Sequence, residues 1–161
     1  YFRADCRMSL GRELGNRSIL ANPLFPGIKD KVNAEVKYRE SWRPFCPSII
    51  DEAKGSYIHN PNEASFMTVA FQAKGSLKES LPSVVHVDGT IRPQVVIKEN
   101  NPMYYSLIVG LGKTTGYPVV LNTSFNTRGE PIICSPQEAI RCFYSNGLDA
   151  LVMGNFILNK S

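Results

Sequence analysis

The eleven residues Leu121–Pro131, L-N-T-S-F-N-T-R-G-E-P, concentrate polar chemistry. They hold two Asn, two Thr, one Ser and one Arg, follow the β-branched pair Val119-Val120, and carry Gly129 near their end. Amides and hydroxyls gathered round a fixed guanidinium hold an anionic group in place. No nucleophile–base pair accompanies them, so the chemistry is positioning rather than covalent attack. Two further segments carry related groups. In His86-Val87-Asp88-Gly89-Thr90-Ile91-Arg92 a tight turn at Asp88-Gly89 places Arg92 on a returning strand, either as an anion contact or as the surface Arg of an ordinary hairpin. Lys37–Phe45 sets Tyr38 and Trp42 among Lys37, Arg39 and Arg43. Such a set suits a nucleotide, a nucleic acid, or a helix end anchored by Trp.

These segments need a scaffold. The spacing of Ile28, Val32 and Val36 predicts a helix, which Pro44 and Pro47 end. Strands are expected within Tyr1–Met8, at Ser48–Ile50, Phe66–Phe71, Val84–Val87, Ile91–Ile97, Tyr117–Leu121, Leu148–Met153 and Phe156–Leu158. Gly11–Asn22 and Lys74–Pro82 read as loops. Asn101-Pro102 opens a helix with Met103, Leu107, Ile108 and Leu111 on its apolar face, and Gly116 ends it. Gly110–Thr115 imitates a phosphate-binding loop, but Leu107 stands where the motif needs Gly, so a helix C-terminus is the better reading. Ser135-Pro136-Gln137-Glu138 has the form of a capping box, with Ala139, Ile140 and Phe143 facing inward. This order of elements implies an α/β layer structure, a mixed twisted sheet with helices packed on it.

The 161 residues fit one domain, and 43% hydrophobic content with 20% charge supports a packed core. No apolar run reaches membrane-span length. The net charge of +4 comes from the first quarter: residues 1–43 hold nine Lys/Arg against five acids, and the remainder is balanced. An anion-binding face is one reading; a solvated charged helix around Lys29–Arg39 accounts for half of it. Arg12, Arg17 and Arg43, beside Gly, Pro and aromatic residues, fit the helix less well. The cysteines Cys6, Cys46, Cys134 and Cys142 form no C-x-x-C pair, which argues against a metal site and for free thiols in a reducing cytoplasm.

Four motifs in order, Leu14-Gly15-Asn16-Arg17-Ser18-Ile19-Leu20, Lys37 through Arg43-Pro44-Phe45, His86-Val87-Asp88-Gly89-Thr90 with Arg92, and Asn122–Asn126 with Arg128-Gly129-Glu130-Pro131, extend over almost the whole chain. Together they resemble the C-terminal domain of the O-carbamoyltransferases of nodulation-factor and antibiotic biosynthesis. The first motif departs from the family pattern: Leu10-Gly11 replaces Gly-Pro before Arg12, and Glu13 follows it.

The resemblance implies a YrdC-like fold, an open twisted mixed α/β sheet, as a single domain over 1–161 that is a fragment of a two-domain cytoplasmic enzyme. It implies formation of carbamoyl-adenylate from carbamoyl phosphate and ATP, with Mg²⁺ bridging phosphates. A separate N-terminal metal-containing domain then passes the carbamoyl group to a hydroxyl. Lys37 and Arg92 are the implied catalytic residues. Arg12, Arg17, Arg43, Asn122, Ser124, Asn126 and Arg128 are the implied substrate and nucleotide contacts. An RNA- or nucleotide-binding module and a catalytically lapsed docking domain are the alternatives; the modest charge disfavours nucleic acid.

Overall fold

A computed structural model describes residues 3–4, 14–40, 42–61 and 64–160. The chain forms two compact units interleaved along the sequence. The first comprises Tyr1–Ala21, Asp30–Ser41 and Asn122–Ser161, and the second Asn22–Lys29 and Trp42–Leu121. The fold is mixed α/β, as expected, with parallel and antiparallel strand pairs and helices packed on them.

In the first unit the strands are β1 (Arg3–Ala4), β2 (Arg17–Ala21), β8 (Ala150–Met153) and β9 (Phe156–Asn159), with the C-terminal half of β7 (Val119–Ser124). Their order is β7-β2-β1-β8-β9. β1 is antiparallel to β2 and parallel to β8, and β8 and β9 form a hairpin in the register Leu151↔Leu158. Helix α5 (Pro136–Ser145) packs on β8. Its capping box forms as read: the Ser135 hydroxyl accepts from Glu138 N–H, and the Glu138 carboxylate accepts from the N–H groups of Ser135 and Cys134. Those bonds hold the Glu138 carboxyl below its ordinary pKa. Ala139, Cys142 and Phe143, at helical spacing, meet Ile19, Val36, Phe125, Leu148 and Leu151 in one core. Burial pushes the Cys142 thiol pKa up. Ile140 is 38% exposed, so Cys142 takes the inward place expected of it. Gly147 donates its N–H to the Glu35 carbonyl at 3.2 Å, an approach in which a Cβ would lie 2.6 Å from Glu35 Cβ.

In the second unit β3 (Cys46–Ile50) lies between β6 (Gln94–Val96) and the first half of β7, with β3 and β6 parallel through Ser48↔Gln94. The short helices α2 (Lys54–Tyr57) and α3 (Gly75–Ser80) flank a two-stranded ribbon of β4 (Phe71–Gln72) and β5 (Thr90–Ile91). Helix α4 (Pro102–Thr115) packs on β3. It is capped by Asn101, whose side chain accepts from Tyr104 N–H, and is closed by left-handed Gly116 (φ 82°).

Several sequence expectations change. Arg17–Ala21, read as loop, is strand β2, because β1 and the far end of β7 pair with it across the sequence. Residues 74–82, read as loop, contain α3: Leu77 and Leu81, both fully buried, outweigh the weak helix propensity of Gly and Ser. The strand expected over Phe66–Phe71 is confined to Phe71–Gln72, and Phe66 is exposed. Val84–Val87 and Ile91–Ile97 do not pair as a hairpin; β5 pairs with β4 and β6 with β3, although the turn at Asp88-Gly89 forms (Gly89 φ 78°). On α4, Tyr104 and Ile108 are fully buried while Met103 is exposed.

Candidate functional site

The polar residues after Val119-Val120 continue the strand. β7 runs to Ser124 with all six residues buried, so Asn122, Thr123 and Ser124 are wall rather than turn. Buried polar side chains in a strand need hydrogen-bond partners. In the first unit, part of that requirement is met by the segment after α1 (Ile28–Val32). The helix widens into a π turn over Asn33–Lys37, closed by Tyr38 in the left-handed region (φ 49°). The wider turn buries Val36 and Lys37 side by side, each 2% exposed. Lys37 is therefore not on the solvated face expected of the charged helix.

The Lys37 ammonium lies within hydrogen-bond range of four oxygens: Ser124 O (2.6 Å), Asn126 Oδ1 (2.7 Å), Asn126 O (3.0 Å) and Ser124 Oγ (3.2 Å). The Ser124 hydroxyl donates to Asn126 Oδ1 (2.7 Å), and Asn126 Nδ2 donates to the Glu130 carbonyl (2.8 Å). Lys37 thus ties the Ser124–Asn126 turn to the π segment. The arrangement joins three of the residues picked from the sequence.

Arginines bracket the same strand end. The Arg17 carbonyl accepts from Phe125 N–H (2.9 Å), and its guanidinium donates to the Cys134 thiol (3.3 Å) just ahead of the α5 cap. Arg128 donates to the Tyr38 carbonyl (3.1 Å). Arg39 reaches Thr123 Oγ1 at 3.5 Å. Arg17 and Arg128 bond to neutral groups, and among the described residues neither forms an ion pair. Glu130 pairs instead with Arg141 at 3.6 Å, an exposed pair of little energetic weight. Arg39 and Thr123 were not singled out as site residues; the charged run after Lys37 and the polar run after Leu121 were their respective signals. Arg12 lies outside the described residues.

Arg43 and Arg92 belong to the second unit, and both are exposed. Arg43 lies over the Trp42 ring, 5.9 Å from its centroid. Near Arg92, the Asp88 carboxylate accepts from Thr90 N–H (2.9 Å) and from the Thr90 hydroxyl (2.7 Å), bonds that lower its pKa; this is a turn residue's role. The Thr90 oxygen in turn lies 3.1 Å from His86 Nδ1. Among the described residues no three His, Cys, Asp or Glu side chains converge as metal ligands. Cys46, Cys134 and Cys142 are free thiols. No helix among the described residues is long and apolar enough to cross a membrane.

The chain is 42% identical over 152 residues to nodulation protein NolO of Bradyrhizobium diazoefficiens, covering 92% of this chain and 28% of that protein. It is 40% identical over 155 residues to an uncharacterised protein of Methanocaldococcus jannaschii, covering 96% and 26%. It is 33% identical over 144 residues to the 3'-hydroxymethylcephem-O-carbamoyltransferase of Amycolatopsis lactamdurans, covering 89% and 27%. The chain therefore spans roughly a quarter of the length of these curated relatives. The profile described as carbamoyltransferase C-terminus matches residues 3–160, so the β7 end with its buried lysine and flanking arginines lies in a chain that belongs to the carbamoyltransferase C-terminal family.

Proposed function

We propose that this chain activates a carbamoyl group, forming carbamoyl-adenylate from carbamoyl phosphate and ATP. A separate N-terminal, metal-containing domain of the same protein then transfers the group to an acceptor hydroxyl. Family membership supports carbamoyl transfer as the reaction class. The observation that carries the site is the pair Arg17 and Arg128, bonded to neutral groups at the β7 end that Lys37 braces.

Water cleaves carbamoyl phosphate, supplying the oxygen and protons that leave carbamate and inorganic phosphate. A carbamate oxygen then bonds to the α-phosphorus of ATP while the bond to pyrophosphate breaks. The nucleophile is already an anion and needs no base; the obstacle is repulsion between two anions. Guanidinium groups aimed at phosphoryl oxygens reduce that repulsion and stabilise the charge spread over them. Arg17 and Arg128 offer that charge at the β7 end of the first unit. Asn122, Ser124 and Asn126 fix orientation, with Lys37 holding the last two. The donor set, cations and amides with no carboxylate cluster among the described residues, fits a phosphate-borne Mg²⁺ rather than one caged by protein. When bound, that ion neutralises phosphate charge.

The test is ATP–pyrophosphate exchange driven by carbamoyl phosphate. Arg17→Ala and Arg92→Ala should each lower exchange by about a hundredfold or more without changing the unfolding midpoint. Wild-type exchange in either variant removes that residue from the site. Purified chain alone should carry no carbamoyl group to a hydroxyl, and transfer by it would refute the two-domain reading.

A further inference from the structure

Arg17 reaches across 117 positions of sequence to set its guanidinium on a sulfur: Nη1 donates to Cys134 Sγ at 3.3 Å. The thiol keeps its own proton, which it donates to the Ile132 carbonyl at 3.2 Å. Its lone pairs remain, and they accept from Arg17. The backbone that carries the thiol is pinned. Cys134 N–H donates to the Glu138 carboxylate at 2.7 Å, and that carboxylate is one half of the α5 capping box. Ile133 N–H donates to Phe125 O at 3.0 Å, and Phe125 N–H donates to Arg17 O at 2.9 Å. Main chain and guanidinium of Arg17 are thus both tied to residues 125–134, all within the first unit. Cys134 is exposed and Arg17 half-buried, so the pair is open to an anion from solvent.

The kind of acceptor matters for a cation that must meet an anion. A carboxylate orients a guanidinium firmly but also cancels its charge. A protonated thiol accepts through a neutral, polarizable sulfur, so it fixes direction and leaves the positive charge whole. Resting on the reading of Arg17 as a phosphate contact, we propose that Cys134 is a positioning residue: its sulfur aims the Arg17 guanidinium and leaves that charge available to phosphoryl oxygens.

Two measurements on the whole protein separate aim from charge. Arginine ¹³C–¹⁵N spectra follow rotation about the Nε–Cζ bond, which slows when Nη1 is held, and they need no ligand. Arg17, assigned by Arg17→Lys, should rotate slowly in wild type and in Cys134→Ser, whose hydroxyl can make both bonds, and faster in Cys134→Ala. Calorimetric titration with inorganic pyrophosphate, the anion released in the proposed reaction, reads the charge. Cys134→Ala should weaken binding by about threefold to tenfold, and Cys134→Ser should recover most of that loss. Cys134→Asp, which aims the guanidinium but neutralises it, should bind nearly as weakly as Arg17→Ala. Cys134→Ala added to Arg17→Ala should bring no further loss, because the thiol acts only through the guanidinium; a merely structural thiol would weaken both backgrounds alike. Rotation unchanged in Cys134→Ala, equal losses in both backgrounds, or wild-type binding by Cys134→Asp overturns the positioning role. Pyrophosphate binding indifferent to Arg17→Ala overturns the reading of Arg17 as a phosphate contact, and the proposal with it, even where the spectra show the guanidinium held.

Discussion

Replacing Lys37 by Met removes the ammonium while keeping a flexible tail of similar length. The ammonium is 98% enclosed with its residue and lies within bonding range of four oxygens between 2.6 and 3.2 Å. Asn126 Oδ1 keeps the Ser124 hydroxyl as donor after the change, so its loss is partial. The main-chain carbonyls of Ser124 and Asn126 lose the lysine as donor, and a buried unmet acceptor costs about 1–3 kcal/mol. Relief from burying a charge returns some of this. The net expectation is a loss of about 3 kcal/mol, which for a chain of this size lowers the melting temperature by roughly 6–12 °C. Thermal unfolding measures the total, and amide exchange locates it. The N–H groups of Phe125 and Ile133, bonded to Arg17 O and Phe125 O, should lose protection first because they flank the freed turn. Lys37→Met with wild-type stability to within about 0.5 kcal/mol and unchanged exchange at Phe125 would refute the brace. It would assign the ammonium to ligand binding instead.

Gly112→Ala places a Cβ 2.9 Å from Pro118 Cβ and 3.0 Å from Pro118 Cα, against which α4 closes. Overpacking of about 1–3 kcal/mol should exceed the helix-propensity gain of about 1 kcal/mol, so denaturant unfolding should show a less stable protein; a more stable one refutes the contact. Ser135→Ala should lose about 1 kcal/mol with the capping box. Since Glu138 has a depressed folded pKa, its contribution is present above the unfolded glutamate value and is lost as pH falls through the folded one. Wild type should therefore lose more stability in acid than Glu138→Gln does, and equal acid losses in the two contradict the carboxylate half of the cap.

How much was legible beforehand follows from where each signal resides. The caps of α4 and α5 are local chemistry, a side chain answering an N–H three residues on, and so the strings Asn101-Pro102 and Ser135-Pro136-Gln137-Glu138 sufficed. The two strands of the terminal β8–β9 hairpin were equally plain, though their pairing was not read from the sequence. Strand β2 and helix α3 were misread because their reasons are remote. One is paired by β1, the other is pinned by two buried leucines, and neither cause appears in a window of Gly, Ser and Asn. Likewise the pattern at Val84–Ile97 showed a turn but not that the residues after it divide between β5, paired with β4, and β6, paired with β3.

For the site, residue types alone announced cations, amides and hydroxyls suited to an anion, and four ordered motifs named the family. Composition could not say which cation is displayed and which is enclosed. A π turn, one wider than the α-helix it continues, carries Lys37 inward onto Ser124 and Asn126, while Arg17 and Arg128 rest on a thiol and a carbonyl and form no ion pair among the described residues. That division arises only when segments some ninety residues apart are brought within 3 Å, because burial and hydrogen-bond geometry are properties of neighbours in space and not of neighbours along the chain.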